Sequence, residues 1–467
     1  METISEHIFL FPFSWEINPR EKYYDFKPQV QIQQSIFKYL NGWRSEAFNI
    51  DTIEKYNEFV YFYKPVRNVL YSENAIIIKN YVFEKLDADS VCEIEINHKV
   101  YSLKIKKIEL KMVKTGIGIL LIHLQNFLYN KEDEIRKINT LAQSVYPVSL
   151  PINIEKYPAR ITFKFKDKTI STNTLAINYL RNVSKISAFI LEILGTSFIT
   201  EAVEKQQKIL IDSLLGSKML TVCLIRNNDI YQRKVVNAKD ISFGDAQRIY
   251  EITTFSIFSY SKSETVSKVY DQMMSLLLMQ KASLLSFSNQ IAEISILKKI
   301  ELITGIESLY EIYIQFINQI YFDEVTASEE GAYIYKTVSN IFNIKNDIDQ
   351  LDFELKEVHE YAELITRQVT NRKMEIMSLI GSALVLPTFV TGFFGMNILD
   401  ENMLVHWWKY VEVLRWLNAY VVLPMLVVFY FYMRKRTKNI VIYLVQTLLM
   451  CSILMCLFCI WRNGTGV

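Results

Sequence analysis

The sequence has little of what enzymes and metal-stapled domains usually need. Its five cysteines are Cys92, Cys223, Cys451, Cys456 and Cys459. No Cys-x-x-Cys pair has a second pair to match, so neither a zinc module nor a disulfide framework is expected. The five histidines, His7, His98, His123, His359 and His406, are dispersed, and no nucleophile–base arrangement accompanies them. An enzyme is therefore not expected. Net charge is also scarce, at +2. Charge balance then argues neither for nor against nucleic acid, and no direct nucleic-acid binding is expected. The start, Met1-Glu2-Thr3-Ile4-Ser5-Glu6, is acidic and lacks the basic region of a secretory signal. The N-terminal part is expected to stay in the cytoplasm.

What the chain has is apolar sequence, at 50% of its 467 residues, enough for a sizeable core and more than one domain. That content concentrates at the end, in three runs: 376–394, 417–433 and 440–461. The first holds 19 residues, or roughly 28 Å as a helix, enough to cross a hydrocarbon core. Trp407, Trp408 and Trp416 lie between the first two runs, where indoles suit headgroups. Arg434-Lys435-Arg436-Thr437-Lys438 follows the second and is expected inside the cell. The third has no charged residue in 22 positions. It reads as a third span, or else as a buried or interfacial helix.

Upstream, Ile344, Ile348, Leu351, Leu355, Val358, Ala362, Ile365 and Val369 recur at alternating spacings of four and three, the rhythm of helices packed side by side. No proline or glycine interrupts Ala332 to Ile380. One helix from about residue 332 into the first span is expected, on the order of 60 residues and 90 Å; the alternative is a break near Asn346. Residues 265–322 read as two amphipathic helices, with Glu324–Gly331 as the turn that follows.

The N-terminal region reads as α/β. Phe9, Phe11, Phe13 and Trp15 alternate onto one face, and Pro12 favours a sheet edge. Tyr101, Leu103 and Ile105 alternate, then Ile108, Leu110 and Met112. Ile117–Leu124 has a buried-strand pattern, 160–165 and 220–226 are further strand candidates, and Asn130–Val145 reads as an amphipathic helix. A phosphate ligand would need cations, and two lysine-rich segments offer them: Lys104, Lys106, Lys107, Lys111 and Lys114, then Lys164, Lys166 and Lys168. Neither has a P-loop or a Gly-x-Gly-x-x-Gly, and alternating lysines on strands usually face solvent. No pocket for a nucleotide is assignable from these residues. Asp347, Asp349, Asp352 and Glu360 on the long helix could hold a regulatory cation, or simply form a solvated face.

The most specific segment is Pro387-Thr388-Phe389-Val390-Thr391-Gly392-Phe393-Phe394-Gly395-Met396-Asn397. It resembles the signature of the CorA family of divalent-cation channels. The shared features are a mid-helix proline (Pro387), a Thr-Phe pair (Thr388-Phe389), a glycine (Gly392), and an aromatic (Phe394) before the Gly395-Met396-Asn397 triplet. The long helix feeding the first span is also similar. The resemblance implies a homopentamer whose first span lines a central pore. Gly395, Met396 and Asn397 would form its selective entrance, with Asn397 binding a hydrated ion; a helix C-cap is the plainer role for Asn397. Met377, Gly381, Val385, Thr388 and Gly392 form a stripe that would line the pore, or else pack between helices. Asp400 and Glu401 could concentrate cations at the mouth. The loop around them departs from the family's usual continuation. The permeant or regulatory ion would be Mg²⁺ or another divalent cation.

Enlarged CorA-like proteins that begin with a phrase like His7–Trp15 accompany type III CRISPR systems in some bacteria. This chain is similar to them in length, extra span and its Phe9-Leu10-Phe11-Pro12-Phe13 start. That resemblance implies an antiviral membrane effector gated by a nucleotide second messenger, SAM-AMP, the ATP–S-adenosylmethionine conjugate. A constitutive Mg²⁺ transporter gated by intracellular Mg²⁺ and a membrane-tethered sensor with a vestigial pore are the rival expectations. The fold expected is an α+β membrane protein: a cytoplasmic α/β domain (1–264), a helical stalk leading into the pore helix (265–375) and a transmembrane region (376–467). It would assemble as a pentamer in lipid, multi-pass in the bacterial inner membrane.

Overall fold

The computed structural model describes residues 2–17, 42–71, 78–84, 86–113, 115–140, 160–166, 169–173, 209–212, 219–237, 248–261 and 269–394, with isolated positions between 422 and 458. The chain divides into two compact units, Met1–Ala362 and Glu363–Val467.

The first unit is built on a 12-stranded sheet. Its strands are β1 (Ser5–Ile17), β2 (Trp43–Ser45), β3 (Ile78–Phe83), β4 (Val91–Ile96), β5 (Lys99–Val113), β6 (Ile117–Asn126), β7 (Arg160–Lys164), β8 (Thr169–Asn173), β9 (Ile209–Asp212), β10 (Leu220–Ile225), β11 (Arg248–Ile252) and β12 (Ser256–Ser261). The spine runs β11-β12-β10-β1-β6-β5-β4-β7-β8, with β2 on β3, β3 on β5 and β9 on β1. Among the described pairings only β10–β12 is parallel. The N-terminal region is therefore α+β rather than the expected α/β, because its neighbouring strands run antiparallel in every described pairing but one. One hairpin joins β4 to β5, where Asn97 and His98 both take positive φ, 49° and 62°, as a two-residue turn of this hand requires.

Pro12 does not mark an edge. β1 is central: it pairs with β6 along Ser5–Ser14 and, on its other side, with β10 as far as Leu10 and with β9 from Ser14. Pro12 falls between those last two ladders, where no described residue pairs with β1 on that side. Beside it, Phe9, Phe11 and Phe13 are fully buried on one face, as their alternation requires. Gly118, opposite Phe13, has no room for a side chain: a Cβ there would lie 2.2 Å from the Phe13 ring.

β5 changes phase. Its register with β6 shifts between Ile105 and Lys107, so Lys106 is an extra residue in a bulge. This is why the buried positions change from Tyr101, Leu103 and Ile105 to Ile108, Leu110 and Met112 while staying on one face. The bulge also rotates Lys107, Glu109 and Lys111 onto the opposite face, under the helices.

The helices of the first unit are α1 (Ile53–Tyr61), α2 (Lys64–Tyr71), α3 (Glu132–Asn139), α4 (Asn228–Asn237), α5 (Val269–Ser295), α6 (Lys299–Gln319) and α7 (Glu329–Phe342), with the first part of α8 (Ile344–Phe394). Two helices over 265–322 are present as expected. The first is less amphipathic than expected. From Tyr270 to Leu284 α5 is buried nearly all round, as a helix apolar on every side must be. Met273, Leu277 and Ala282 share one core with Ile8, Leu121 and Val222 of the sheet and Leu309, Val338 and Leu351 of the other helices. Its polar side chains are satisfied internally: Gln280 donates to Ile320 O (2.9 Å), and Ser283 bonds Thr115 (2.8 Å).

The single helix expected from residue 332 is broken at Asn343, which takes φ 58° as the left-handed C-cap of α7. Asparagine tolerates that conformation better than other residues with a side chain. The break lies three residues before Asn346. Ser328 caps the start of α7, so the turn ends there and Glu329–Gly331 are already helical. The heptad positions Ile344, Ile348, Leu351, Leu355, Ala362 and Ile365 are buried, Val358 is half-buried, and Val369 is 49% exposed.

In the second unit α8 continues to Phe394. Among the described residues no helix is long and apolar enough to cross a membrane. Runs 417–433 and 440–461 fall almost wholly outside the described residues, and within 376–394 so do the side chains of Pro387, Phe389 and Phe394.

Candidate functional site

The bulge in β5 gives the first unit a polar cavity of about 380 Å³, lined by residues of β1, β3, β5, β6, β10, α1, α2 and α5. Its floor is polar because the face of β5 beyond the bulge places charged side chains where the matching face of β6 is apolar. Glu109 and Lys111 are 8% and 4% exposed. Solvent-facing lysines were expected here. Lys104 and Lys106 are indeed exposed, but Lys107 is half-buried and Lys111 buried. Lys114 lies outside the described residues.

Three potential ligating side chains converge there from three elements. Glu109 (β5), His123 (β6) and Asp271 (α5) bring one donor atom each to within 4.8 Å of one another. His123 Nε2 bonds Glu109 Oε2 at 2.8 Å. Lys107 pairs with Glu109 and also with Glu46, at 3.1 Å from both Glu46 carboxylate oxygens. Lys111 donates to Gln272 Oε1 at 2.7 Å. Asp271 is 7% exposed; its Oδ1 accepts the Gln272 N–H at 2.7 Å, and it forms no ion pair among the described residues.

These environments separate the two carboxyls. Burial pushes Asp271 up to about 6, its neighbour Glu109 adding to the rise against the pull of His123 and Lys111. Burial would raise Glu109 as well, but His123, Lys107 and Lys111 outweigh it and hold Glu109 below the usual carboxylate range. Lys111 is pushed down by burial. Lys107 is raised, because Glu109 and Glu46 together outweigh its desolvation.

Aromatic and amide side chains also line the cavity. The Phe48 and Tyr71 rings lie 4.2 Å apart, and the Tyr71 hydroxyl donates to Glu58 at 3.1 Å. Asn80 donates to Leu70 O at 3.2 Å, while its buried amide oxygen accepts from no partner among the described residues.

Sequence reasoning missed Glu109, His123 and Asp271. The available signal was a histidine inside the apolar run Ile119-Leu120-Leu121-Ile122-His123-Leu124, next to a strand whose lysines are interrupted by Glu109. Asp271 gave no local signal, since 148 positions separate it from His123.

The residues singled out in advance fare differently. Met377, Gly381, Val385, Thr388 and Gly392 are all exposed on α8 and share one face by their spacing. Thr388 Oγ1 donates to Leu384 O at 2.7 Å. Neither glycine of this stripe has an atom within 4 Å of a built Cβ. Gly395, Met396, Asn397, Asp400 and Glu401 lie outside the described residues. Of the acids on the long helix, Asp347 pairs with Lys281 and Asp352 accepts from the Tyr313 hydroxyl, so both brace helix packing; Asp349 and Glu360 are exposed. Lys164 pairs with Glu93, Lys166 is exposed, and Lys168 lies outside the described residues. His7 is fully buried between Ser5 (2.9 Å) and Asn139 (3.1 Å); its neighbours Glu6 and Ile8 line the cavity.

Comparison with known proteins gives one family. Residues 288–436 match the family model for CorA-like Mg²⁺ transporter proteins. The matched stretch starts near the end of α5 and takes in α6, α7, α8 and the Gly395-Met396-Asn397 triplet. It stops short of the sheet, and the cavity residues lie before it. No curated protein and no solved structure matches the chain.

Proposed function

We propose, from the match of residues 288–436 to the family model for CorA-like Mg²⁺ transporter proteins, that the chain is the subunit of a pentameric cation channel of the bacterial inner membrane. The first apolar run, 376–394, is the pore helix, and 417–433 and 440–461 complete a three-span region. Asn397 presents neutral oxygens at the outer entrance. Such a ring holds Mg²⁺ with its water shell, without the cost of stripping it. Met377, Gly381, Val385, Thr388 and Gly392 line the pore, and Asp400 and Glu401 gather cations at its mouth. The observation that carries this reading is the family match, which ends at Arg436 and includes the Gly-Met-Asn triplet. The exposure of the whole 377–392 stripe in a single chain supports it, because those residues remain available to other copies.

Opening is controlled from the sheet domain by a small ligand, and a nucleotide second messenger of the SAM-AMP type is our leading candidate, with antiviral defence as the role. The cavity supports a ligand of that class. Its volume is in the range of small-molecule sites, Lys107 and Lys111 are cations for phosphate, and Phe48 and Tyr71 are aromatic surfaces for a base.

Ion flux into proteoliposomes tests both parts. Divalent flux that requires the nucleotide is expected, and Asn397→Ala is expected to change conductance or selectivity. Flux without nucleotide that falls as internal Mg²⁺ rises would replace the effector by a constitutive transporter. No flux under any condition would leave a sensor with a vestigial pore.

A further inference from the structure

We infer that Glu109, His123 and Asp271 form an intradomain binding site for one first-row transition-metal dication, of the Zn²⁺ or Mn²⁺ type, at the floor of the sheet-domain cavity. The inference is independent of the channel reading, since none of these residues lies in the matched region or in the 376–461 runs.

Geometry is the first support. Donor atoms bound to one ion at about 2.0–2.2 Å lie at most about 4.4 Å apart, and the three here already lie within 4.8 Å of one another. Small rotations of the Asp271 and Glu109 side chains close the difference. The residues come from β5, β6 and α5, so the backbone presents them from three directions, and the cavity in front leaves room for water to complete the coordination.

Charge is the second support. Glu46 and Glu109 pair with Lys107, and His123 bonds Glu109. Asp271, more than nine-tenths buried, has no ion pair among the described residues. A carboxylate buried this way is costly unless a cation or a proton neutralises it. A dication bridging Glu109 and Asp271 supplies the cation and removes their mutual repulsion. The unpartnered Asn80 amide oxygen adds another acceptor to the same cavity.

The donor set decides the metal class. An imidazole with two carboxylates suits Zn²⁺ or Mn²⁺, whereas Mg²⁺ prefers oxygen donors and keeps its waters. The metal would take His123 Nε2, now hydrogen-bonded to Glu109. Lys107, held between Glu46 and Glu109, would orient the Glu109 carboxylate from outside the coordination shell. Binding would tie α5 to the sheet.

The test is a Co²⁺ titration of the full-length protein in detergent, followed by visible absorption, with Zn²⁺ as displacing ion and Mg²⁺ as competitor. We expect one Co²⁺ per chain in a nitrogen-containing site, displaced by Zn²⁺ and not by equimolar Mg²⁺. His123→Gln should abolish the spectrum, and Asp271→Asn should weaken binding at least about tenfold. Lys106→Ala and Asn397→Ala should leave it unchanged; the latter separates this site from any ion held at the pore entrance. Thermal unfolding of each variant identifies one that fails to fold, and whichever of His123→Gln and Asp271→Asn folds then decides. No spectrum in the wild type, or an unchanged spectrum in His123→Gln, overturns the inference. A channel that conducts nothing while Co²⁺ still binds would refute the channel reading and leave this site standing.

Discussion

The two compact units dispose of their apolar residues in opposite ways. In Met1–Ala362 the core residues are covered by the chain itself: Phe9, Phe11, Phe13, Leu277 and Phe316 are 1% exposed or less. In Glu363–Val467 many of the described apolar side chains are open, although Ile365 is buried: Met377 is 73% exposed, Val385 65% and Leu454 58%. The same helix shows both behaviours. The Ile344–Ala362 part of α8 buries its heptad stripe, while residues 377–392 expose theirs. Apolar patches of that kind mark surfaces that water does not normally meet. The first unit is thus specified by its own packing, whereas the second leaves apolar surface uncovered among its described residues.

The comparison breaks if truncation costs the same in both units. Leu277→Ala removes a fully buried side chain where α5 meets the rest of the core. It should destabilise the first unit by about 2–5 kcal/mol, read as a lower denaturant midpoint by circular dichroism. A smaller loss comes from acid. Burial pushes His7 down to about 4 from its ordinary 6.5, against the opposing pull of Asn139 and Glu6. The unfolded chain therefore takes up this proton first. His7 costs nothing above pH 6.5, and stability falls as the pH drops from 6.5 through 4, by up to about 3 kcal/mol at ~1.4 kcal/mol per pKa unit. His7→Gln should flatten that slope in unfolding measured across this range.

Gly118→Ala sharpens the comparison by adding one methyl. The Phe13 ring must yield to it in a filled core, at about 1–3 kcal/mol, measured the same way. The smallest effect is expected in the second unit. Val385→Ala removes apolar atoms that touch solvent in the isolated chain and should change the unfolding of the first unit by less than about 0.5 kcal/mol. Any effect it has should appear in ion flux or in oligomer stability.

Much of the first unit was legible in the sequence. The alternation of Phe9, Phe11 and Phe13, the phase change at Lys106 and the 4-3 stripe from Ile344 each record which face a residue turns to the core. Short partners such as β2, β9 and β11 were not legible, because strands of three to five residues lack enough periods to show a pattern. The central place of β1 was also hidden. Proline argues for an edge unless, as here, it falls between the ladders of two partner strands.

The sequence by itself determined the family-bearing segment, the apolar runs and the periodicity of the long helix, since each is a property of neighbours along the chain. The tertiary structure decided where Lys107, Glu109, Lys111, His123 and Asp271 come together. One extra residue in β5 turns its charged face inward, and α5 then lays Asp271 over Glu109 and His123. Burial and convergence depend on positions far apart in sequence, so the site exists only once the sheet and α5 have packed.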